Sequence, residues 1–264
     1  MKLRVGCQLE YQVYEETPVI LLLRPHNKQL DFVIHEELNV EPKVRLTEYI
    51  DFYGNTADRL VAPIGNFSVN TMAIVDVQEF SEYDEDINST PVENLPDNAL
   101  VYLLASRFCE SDKLSNLALD IVSNSITGFH KVEAIRRWVH YNIQYAYNYS
   151  NSSTSALDTL NARIGVCRDM SHLAISLCRS ISIPARFVVG YLYLLHPMDM
   201  HAWFEVYLDG KWYTFDATQQ VTTGGRVVIA YGRDAADVAT ATFYGNMQLQ
   251  YMNVFVEKVE DKVL

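Results

Sequence analysis

The chain has 264 residues, of which 49% are hydrophobic and 20% are charged, with 11 glycines and 8 prolines. This composition is typical of a globular protein and excludes fibrous, disordered and small disulfide-stapled proteins. The 21 basic and 33 acidic residues give a net charge of −12, which disfavours nucleic-acid binding because phosphate backbones are bound by basic surfaces. At roughly 150 residues per domain, the length predicts between one and two domains.

The sequence predicts neither a membrane span nor a secretion signal. Its longest wholly aliphatic run is Val19 to Leu23, far below the roughly 20 apolar residues that cross a bilayer. The first residues, MKLRVGCQLEYQVYEE, alternate polar and apolar residues and lack the continuous apolar core of a signal peptide. We therefore expect a cytoplasmic protein that has no membrane partner.

The first part of the chain, residues 1–81, is predicted to be an antiparallel β domain, with a sandwich as its expected architecture. In KLRVGCQLEYQV, apolar residues alternate with polar residues or glycine, as in a half-buried strand. Further strands are predicted in PVILLLRPH, LDFVIHEELNV, VRLTEYIDF and FSVNTMAIVDVQEF, and Tyr53-Gly54-Asn55 supplies turn chemistry. Residues 82–98 are acidic, with two prolines and no Lys or Arg, and are predicted to be a solvated linker.

Residues 99–264 are predicted to form a second domain in which strands follow helices. Apolar residues have helical spacing in ALVYLLASRF, LALDIV, FHKVEAIRRWVHYNIQY and SALDTLNAR, and again from about Cys167 to Ser182. Pro184 ends the last helix, and strands are predicted in ARFVVGYLYLL, HAWFEVYL, KWYTFDAT, RVVIAY and a β-rich tail from Phe243 to Val259. The predicted fold class is therefore α+β.

Cys167 is the candidate nucleophile. The predicted helix has an apolar stripe, formed by Met170 and the residues at helical spacing after it as far as Ile181. Cys167 lies three residues before Met170, at the start of this stripe and in the first turn of the helix, where unpaired amides and the helix dipole stabilise a thiolate. A small buried hydrophobe is the other interpretation of a cysteine in this place. Cys178 lies about 16 Å further along the same helix, too far for a disulfide, and is interpreted as a core residue.

The base and its orienting acceptor are predicted from a β-hairpin. Asp209-Gly210 lies between two alternating runs and is typical of a two-residue type I′ turn. This turn pairs Leu208 with Lys211 and places Asp216 on the strand face that carries His201, within reach of a hydrogen bond. Because a thiol nucleophile needs an oriented base, His201 is the candidate base and Asp216 its partner.

Other polar side chains are weaker candidates for these roles. His172 lies on the same helix as Cys167 but is rotated about 140° away from it, which excludes it as the base. His196 is a rival base in the loop HPMD, without a predicted orienting partner. Glu205 shares a strand face with His201 but lies about 13 Å away, too far to orient that imidazole.

A metal site is the competing hypothesis from another class. Imidazole and carboxylate groups are common metal ligands, and a site could be formed by His196, Asp199 and His201. It is disfavoured because it gives Cys167 no role, so neither a metal nor another cofactor is expected. Beside the nucleophile, Asp169 is predicted to be an acid that stabilises the helix start, and Arg168 to form an ion pair.

These segments together resemble the transglutaminase-like superfamily, and within it the bacterial transglutaminase-like cysteine proteases. The similarity lies in GVCRDMSHL with the downstream IPARFVVGY, in HAWFEVYL and in WYTFDAT. The N-terminal region is similar to the β domain that precedes this core in bacterial members, including an Asp-x-x-Gly-Asn element at residues 51–55. The resemblance implies a papain-like α+β core in which Cys167, His201 and Asp216 form a catalytic triad. The backbone N–H of Cys167 is the expected first oxyanion donor.

The expected activity is thiol-dependent acyl transfer on peptide or glutamine-type amides, through a thioester intermediate. The resemblance favours a cysteine peptidase or amidase whose partner is a peptide or protein substrate. Because a thioester reacts with either water or an amine, a protein-glutamine transglutaminase is the alternative. A non-catalytic scaffold with a transglutaminase-like core is the alternative of another class, which the presence of a whole Cys-His-Asp set disfavours.

Overall fold

The computed structural model describes residues 1–26, 32–78, 85–222 and 224–259. These residues form three antiparallel four-stranded sheets, a short parallel strand pair and a group of helices in the middle of the chain. The predicted α+β class and the antiparallel N-terminal region are confirmed. The predicted boundary at residue 81 and the acidic residues 82–84 lie outside the described residues.

The elements follow one another as strands, helices and strands. In chain order they are β1 Lys2–Val13, β2 Thr17–Leu21, β3 Val33–Glu41, β4 Thr47–Ile50, β5 Thr56–Ala62, β6 Gly65–Asp76, α1 Asp97–Leu100, α2 Ser115–Val122, α3 Gly128–Asn142, β7 Gln144–Tyr145, α4 Ala156–Ala162, β8 Ile164–Gly165, α5 Cys167–Ser180, β9 Ala185–Leu192, β10 His201–Leu208, β11 Lys211–Phe215, β12 Arg226–Gly232, β13 Ala241–Phe243 and β14 Met247–Lys258. No helix in the described ranges is both long and apolar enough to cross a membrane.

Two of the sheets contain the N-terminal strands. Their orders are β14-β1-β6-β3 and β13-β2-β5-β4. Alternate residues of β1, such as Leu3, Val5 and Leu9, are at most 3% exposed, as the period of two in its sequence predicts. The buried faces of both sheets contribute to one hydrophobic core.

The last two strands belong to these N-terminal sheets. β14 pairs with β1 from Lys258 opposite Leu3 to Met247 opposite Val13, and β13 pairs with β2. The sequence predicts that these residues belong with the helices in 99–264, whereas here they complete the N-terminal sheets. The physical reason is that β1, paired with β6 on one side, would otherwise be a long unprotected edge strand. The boundaries 1–81, 82–98 and 99–264 stay a prediction.

The described part of the acidic stretch, residues 85–98, packs on the second half of the chain. Ile87 is 8% exposed, and its carbonyl accepts a hydrogen bond from the Phe129 amide at 3.0 Å. Ser89 forms a β-bridge with Leu208. Most of the other residues of this segment are exposed, and Ile87 and Leu95 are the two that are buried, because burial of apolar side chains is favourable.

Helices α2 to α5 lie in or near the segments predicted for them. The exception is the predicted helix in 99–108, where α1 ends at Leu100 and a single 3₁₀ turn follows over Val101–Leu103. The carbonyl of Leu104 accepts a hydrogen bond from the buried Arg179 guanidinium at 3.0 Å. In a continuing helix this carbonyl would accept from a backbone amide, and the Arg179 guanidinium takes the place of that donor.

The third sheet, in the order β11-β10-β9-β12, packs against α5. Leu173 and Leu177 of α5 are fully buried in the same core as Phe204 and Val206 of β10. Burial of such side chains contributes roughly 1.5 to 3 kcal/mol each, which fixes the helix on the strand. The start of α5 and the start of β10 are thereby held close together.

Asn55 joins the N-terminal sheets to β12. It is the last residue of the predicted turn, in which Gly54 has a φ of 83°, a conformation that favours glycine. The fully buried Asn55 side chain donates from Nδ2 to the Tyr231 carbonyl at 2.9 Å and accepts from the Tyr231 amide at 2.8 Å. The side chain therefore satisfies backbone groups of an edge strand, as a neighbouring strand would.

Candidate active site

Cys167 is the first residue of α5. Asp169 fixes this helix start, because its Oδ2 accepts from the Val166 amide at 3.0 Å while its Oδ1 accepts from Arg168 at 2.8 Å. Gly165 permits the close approach, since a Cβ there would lie 2.8 Å from the Asp169 Cβ. The predicted helix-start acid and the predicted ion pair are both present, and they hold Cys167 at the positive end of the helix dipole.

The hairpin of β10 and β11 brings His201 and Asp216 together. The Asp209-Gly210 turn has φ values of 40° and 85°, as a type I′ turn requires, and its register pairs Leu208 with Lys211. Nε2 of His201 donates to Oδ2 of Asp216 at 2.7 Å, and the side chains are only 2% and 0% exposed. The predicted hairpin and the predicted proximity of the two side chains are confirmed.

Burial and charge act in opposite directions on this pair. Burial disfavours a charged imidazole, but the Asp216 carboxylate and the neighbouring Cys167 outweigh it and raise the pKa of His201 to about 9. Burial also disfavours the carboxylate, yet His201 and Arg226 hold the pKa of Asp216 well below its usual range. At neutral pH the two groups therefore form an imidazolium–carboxylate ion pair.

The thiol lies beside the imidazole. Cys167 and His201 line the same cavity, and Cys167 contributes to the raised pKa of His201. Because Nε2 of His201 is bonded to Asp216, Nδ1 is the ring nitrogen that is left for a proton exchange with the thiol. Thiol, imidazole and carboxylate are thus neighbours at one site.

Asp216 is held by residues that the sequence did not single out. Its Oδ1 accepts from the Thr218 amide at 2.9 Å and from the Thr218 hydroxyl at 2.6 Å. Arg226 donates to Oδ2 at 3.1 Å, and the Asp216 amide donates to the Thr222 hydroxyl at 3.2 Å. Asp followed two residues later by Thr is a recognisable local turn, so Thr218 could have been found, whereas no local signal links Arg226 to Asp216.

Tyr145 is another side chain near the nucleophile that the sequence did not single out. The parallel pair of β7 and β8 places Tyr145 opposite Gly165, and the Ala146 amide donates to the Gly165 carbonyl at 3.0 Å. Partial burial and the neighbouring Cys167 raise the pKa of the Tyr145 phenol. The phenol is therefore a protonated hydrogen-bond donor beside the thiol at neutral pH.

A cavity of about 540 Å³ opens at the thiol and the imidazole. Cys167 is partly exposed there, although His201 is almost completely buried. Most of the remaining lining is apolar, and two arginines contribute to it. The lining includes Arg107, Phe108, Arg168, Phe187, Val189 and Val238.

A second cavity, of about 520 Å³, lies where the third sheet meets β6. Trp203, Glu205 and Arg226 contribute to its lining, and the thiol does not. Trp203 is fully buried and stacks behind the His201 ring, with centroids 6.1 Å apart. Trp203 is thus a core residue that supports the imidazole, and thiol chemistry belongs to the first cavity.

His172 is a core residue, as expected from its position on α5. It packs between Phe108 and Phe187, with ring centroids 5.2 and 4.9 Å away. Burial lowers the pKa of His172 to about 3, and its Nε2 accepts from the Ala235 amide at 3.1 Å. This neutral imidazole anchors residues 235–236, which line the cavity.

The remaining candidates lie away from the thiol or have other partners. Glu205 accepts from Arg186 at 2.8 Å, and His196 is exposed in its loop. Within the described ranges, no three His, Cys, Asp or Glu side chains are grouped to hold a metal ion. Asp199 of the alternative metal set instead accepts from its neighbouring amide, that of Met200, at 2.7 Å. The alternative metal hypothesis gains no support.

Two family models match the chain. A transglutaminase-like superfamily model matches residues 115–217, and a model of the bacterial transglutaminase N-terminal domain matches residues 1–98. Together the two matches cover the β region and the helices and strands that contain the site.

Relatives with known sequence or structure agree with these matches. A crystal structure from Cytophaga hutchinsonii, described as that of a candidate cysteine protease, is 37% identical with a TM-score of 0.92, covering 100% of this chain and 92% of the other. An uncharacterized protein of Mycobacterium leprae is 28% identical over 240 residues, which are 82% of each chain. A Mycobacterium tuberculosis protein is 29% identical over 138 residues, covering 46% of this chain and 44% of its own.

Proposed function

The chain belongs to the transglutaminase-like superfamily, and on that premise we propose that it is a cysteine-dependent hydrolase of peptide or glutamine-type amides. One observation carries the proposal. The Cys167 thiol at a helix start shares a cavity with the imidazole of His201, whose other nitrogen donates to the buried Asp216 at 2.7 Å. Nucleophile, base and orienting acid in this order are the parts that acyl transfer requires.

In the first half-reaction the Cys167 thiolate attacks the amide carbonyl carbon. The C–S bond forms while the carbonyl π electrons move onto oxygen. When the tetrahedral intermediate collapses, the C–N bond breaks and the His201 imidazolium gives its Nδ1 proton to the leaving nitrogen. The products of this step are a thioester on Cys167, a free amine or ammonia, and a neutral imidazole.

In the second half-reaction water resolves the thioester. Neutral His201 takes a proton from water, and the resulting hydroxide attacks the thioester carbonyl. The C–S bond then breaks, the electrons return to sulfur, and the imidazolium–thiolate pair is restored. Over the whole cycle, amide plus water become carboxylic acid plus amine.

Asp216 acts through His201. By accepting from Nε2 it keeps Nδ1 directed at sulfur, and its charge stabilises the imidazolium. Thr218 and Arg226 hold the carboxylate in that position. These contacts leave the acid ionised throughout the cycle.

Two groups near Cys167 are the donors that we propose for the oxyanion. The Cys167 amide, in the first turn of α5, has no partner within the helix. The Tyr145 phenol lies beside Cys167 and offers a second donor. Removing one such donor commonly costs about 10² to 10³ in rate.

Charge at the cavity favours hydrolysis over transfer to a lysine. Arg107 and Arg168 line the cavity, and among the residues that the structure describes no Asp or Glu lines it. A protonated lysine amine would therefore meet like charge on its approach. The 37% identical relative from Cytophaga hutchinsonii is also described as a cysteine protease candidate, in agreement with a hydrolytic reaction.

The test is incubation of the protein with a set of glutamine-containing peptides, with and without a primary amine, followed by mass spectrometry. We expect cleaved or deamidated peptides and a Cys167-linked acyl adduct that is absent from Cys167→Ala and retained in Cys178→Ala. Amine adducts that outnumber hydrolysed products would favour the transglutaminase alternative. Turnover that persists in Cys167→Ala would overturn the proposal.

A further inference from the structure

The cavity beside Cys167 has an unusual charge for this protein. The chain has 33 acidic and 21 basic residues, yet two arginines and no acidic side chain line the cavity in the described part of the chain. Two nearby carboxylates, those of Asp169 and Asp234, accept hydrogen bonds from other groups. Asp169 accepts from Arg168 and the Val166 amide, and Asp234 accepts from the amides of Phe108 and Ala236.

The two arginines differ in their hydrogen bonds and ion pairs. Arg168 is bonded to Asp169 and to the Asn151 carbonyl. Arg107 is exposed, with its guanidinium 5.0 Å above the Phe108 ring. Among the described residues, no carboxylate forms an ion pair with Arg107 within 4.0 Å. Arg107 is therefore a positioned cation that is available to a ligand.

The rest of the cavity is apolar and has small residues along one wall. Phe187 and Val189 form the part provided by β9, and residues 235–236 and 238–241 form another wall, with four alanines. The acid within that wall, Asp237, pairs with Arg233 at 3.0 Å and does not line the cavity. Small side chains leave space for an apolar group of the ligand.

We infer that the acyl donor is a peptide in which a carboxylate lies within two residues of an apolar side chain, with Arg107 binding the carboxylate. This inference rests on the proposed function, because it assigns a substrate class to the same cavity. A guanidinium binds carboxylates through paired N–H donors, and its planar cation is only weakly hydrated. The carboxylate belongs either to an acidic side chain or to the C-terminus of the peptide.

A pair of small reagents tests the charge without knowledge of the substrate. Iodoacetate and iodoacetamide each form an S–C bond with Cys167 and release iodide, and they differ in carrying a carboxylate or an amide. We expect the ratio of iodoacetate to iodoacetamide labelling rates at Cys167 to fall roughly fivefold in Arg107→Gln. The ratio should be unchanged in the matched control Arg137→Gln, an exposed arginine of α3 that does not line the cavity.

Peptides then distinguish the two sources of the carboxylate. The measured quantity is protection of Cys167 from iodoacetamide by acetyl-Leu-Gln-Glu-amide, acetyl-Leu-Gln-Gln-amide, acetyl-Leu-Gln-Gln with a free C-terminus, and acetyl-Leu-Gln-Lys-amide. Stronger protection by the first peptide assigns the carboxylate to a side chain, and stronger protection by the third assigns it to the C-terminus. Either preference should weaken in Arg107→Gln and at high salt, which screens charge.

The apolar part of the inference has its own variant. Ala239 lines the cavity and is exposed, so Ala239→Leu fills space without disturbing the core. We expect weaker protection by the leucine peptides and an unchanged ratio of iodoacetate to iodoacetamide labelling.

The outcomes separate this inference from the proposed function. Equal protection by all four peptides, or a labelling ratio that Arg107→Gln leaves unchanged, overturns the inference while Cys167 chemistry stands. Better protection by the lysine peptide also overturns it. A Cys167 that neither reagent labels in the folded protein contradicts the proposed function itself.

Discussion

Two cysteines on α5 lie in opposite environments. Cys167 is the first residue of the helix and is partly exposed at a cavity that His201 also lines. Cys178 lies near the other end, is 0% exposed, and has its pKa raised by burial. Both occupy the same apolar stripe, so the stripe alone does not distinguish them. The difference comes from the helix start and from the strand that brings an imidazole to it.

Replacement of each cysteine with alanine should have the largest and most different effects, on activity for Cys167 and on stability for Cys178. Cys167→Ala removes the nucleophile, and we expect amide hydrolysis to fall by about 10⁴-fold or more with little change in melting temperature. Cys178→Ala leaves a small cavity in the core, and we expect it to lower the free energy of unfolding by about 1 kcal/mol with activity retained. Steady-state assays and thermal unfolding of both variants measure these effects. Equal loss of activity in the two would remove the distinction.

The next largest effect is expected from Asp216→Asn. The amide keeps the shape of the acid but removes its charge, so it no longer fixes the imidazole with Nδ1 directed at Cys167. We expect kcat to fall by about 10³ to 10⁴, with Cys178 as unreactive as before. Activity near that of the wild type would show that His201 needs no orienting acid.

Tyr145→Phe should reveal whether the environment of Cys167 includes a second oxyanion donor. The substitution removes only the hydroxyl, and we expect kcat to fall by about 10²-fold while KM changes little. Tyr149→Phe is the matched control, because Tyr149 follows four residues later and its side chain is exposed. Similar effects of the two substitutions would contradict a donor role for the Tyr145 hydroxyl.

A pH series of unfolding experiments tests the ion pair between His201 and Asp216, which lies beside Cys167 and not beside Cys178. Since the pKa of His201 rises from 6.5 unfolded to about 9 folded, its stabilising effect is fully present below pH 6.5 and lost as the pH rises through about 9. We expect the free energy of unfolding of the wild type, relative to His201→Gln, to drop by a few kcal/mol over that range. A difference that stays constant over that range would contradict the assigned charge state.

The acid side of the same series has the opposite sign. Because the folded pKa of Asp216 lies below its usual value of 3.8, its stabilising effect is present above that value and is lost as the pH falls further. Relative to Asp216→Asn, the wild type should therefore lose stability only in strong acid.

Local signals in the sequence predicted much of the site. The Asp209-Gly210 turn sets the hairpin register, and this register places His201 near Asp216. The apolar residues at helical spacing locate the start of α5, and hence Cys167. Each of these signals lies within a few residues of the feature that it predicts.

The features that were missed depend on contacts between distant parts of the chain. β14 returns to pair with β1, and Arg226 reaches Asp216 from a different strand. Tyr145 reaches the nucleophile through a two-residue parallel strand pair. Periodicity and turn chemistry describe neighbours along the chain, and they do not indicate which strands that are distant in sequence meet in space.

The most direct test of the central claim is alkylation by iodoacetamide at neutral pH, followed separately at Cys167 and Cys178 by peptide mass spectrometry, in the wild type and in His201→Ala. We predict rapid labelling of Cys167 in the folded wild type, with Cys178 labelled only after unfolding. Loss of the imidazolium in His201→Ala should slow Cys167 labelling by about tenfold or more. Labelling of Cys167 at the same rate in both proteins would contradict the claim that His201 activates this thiol.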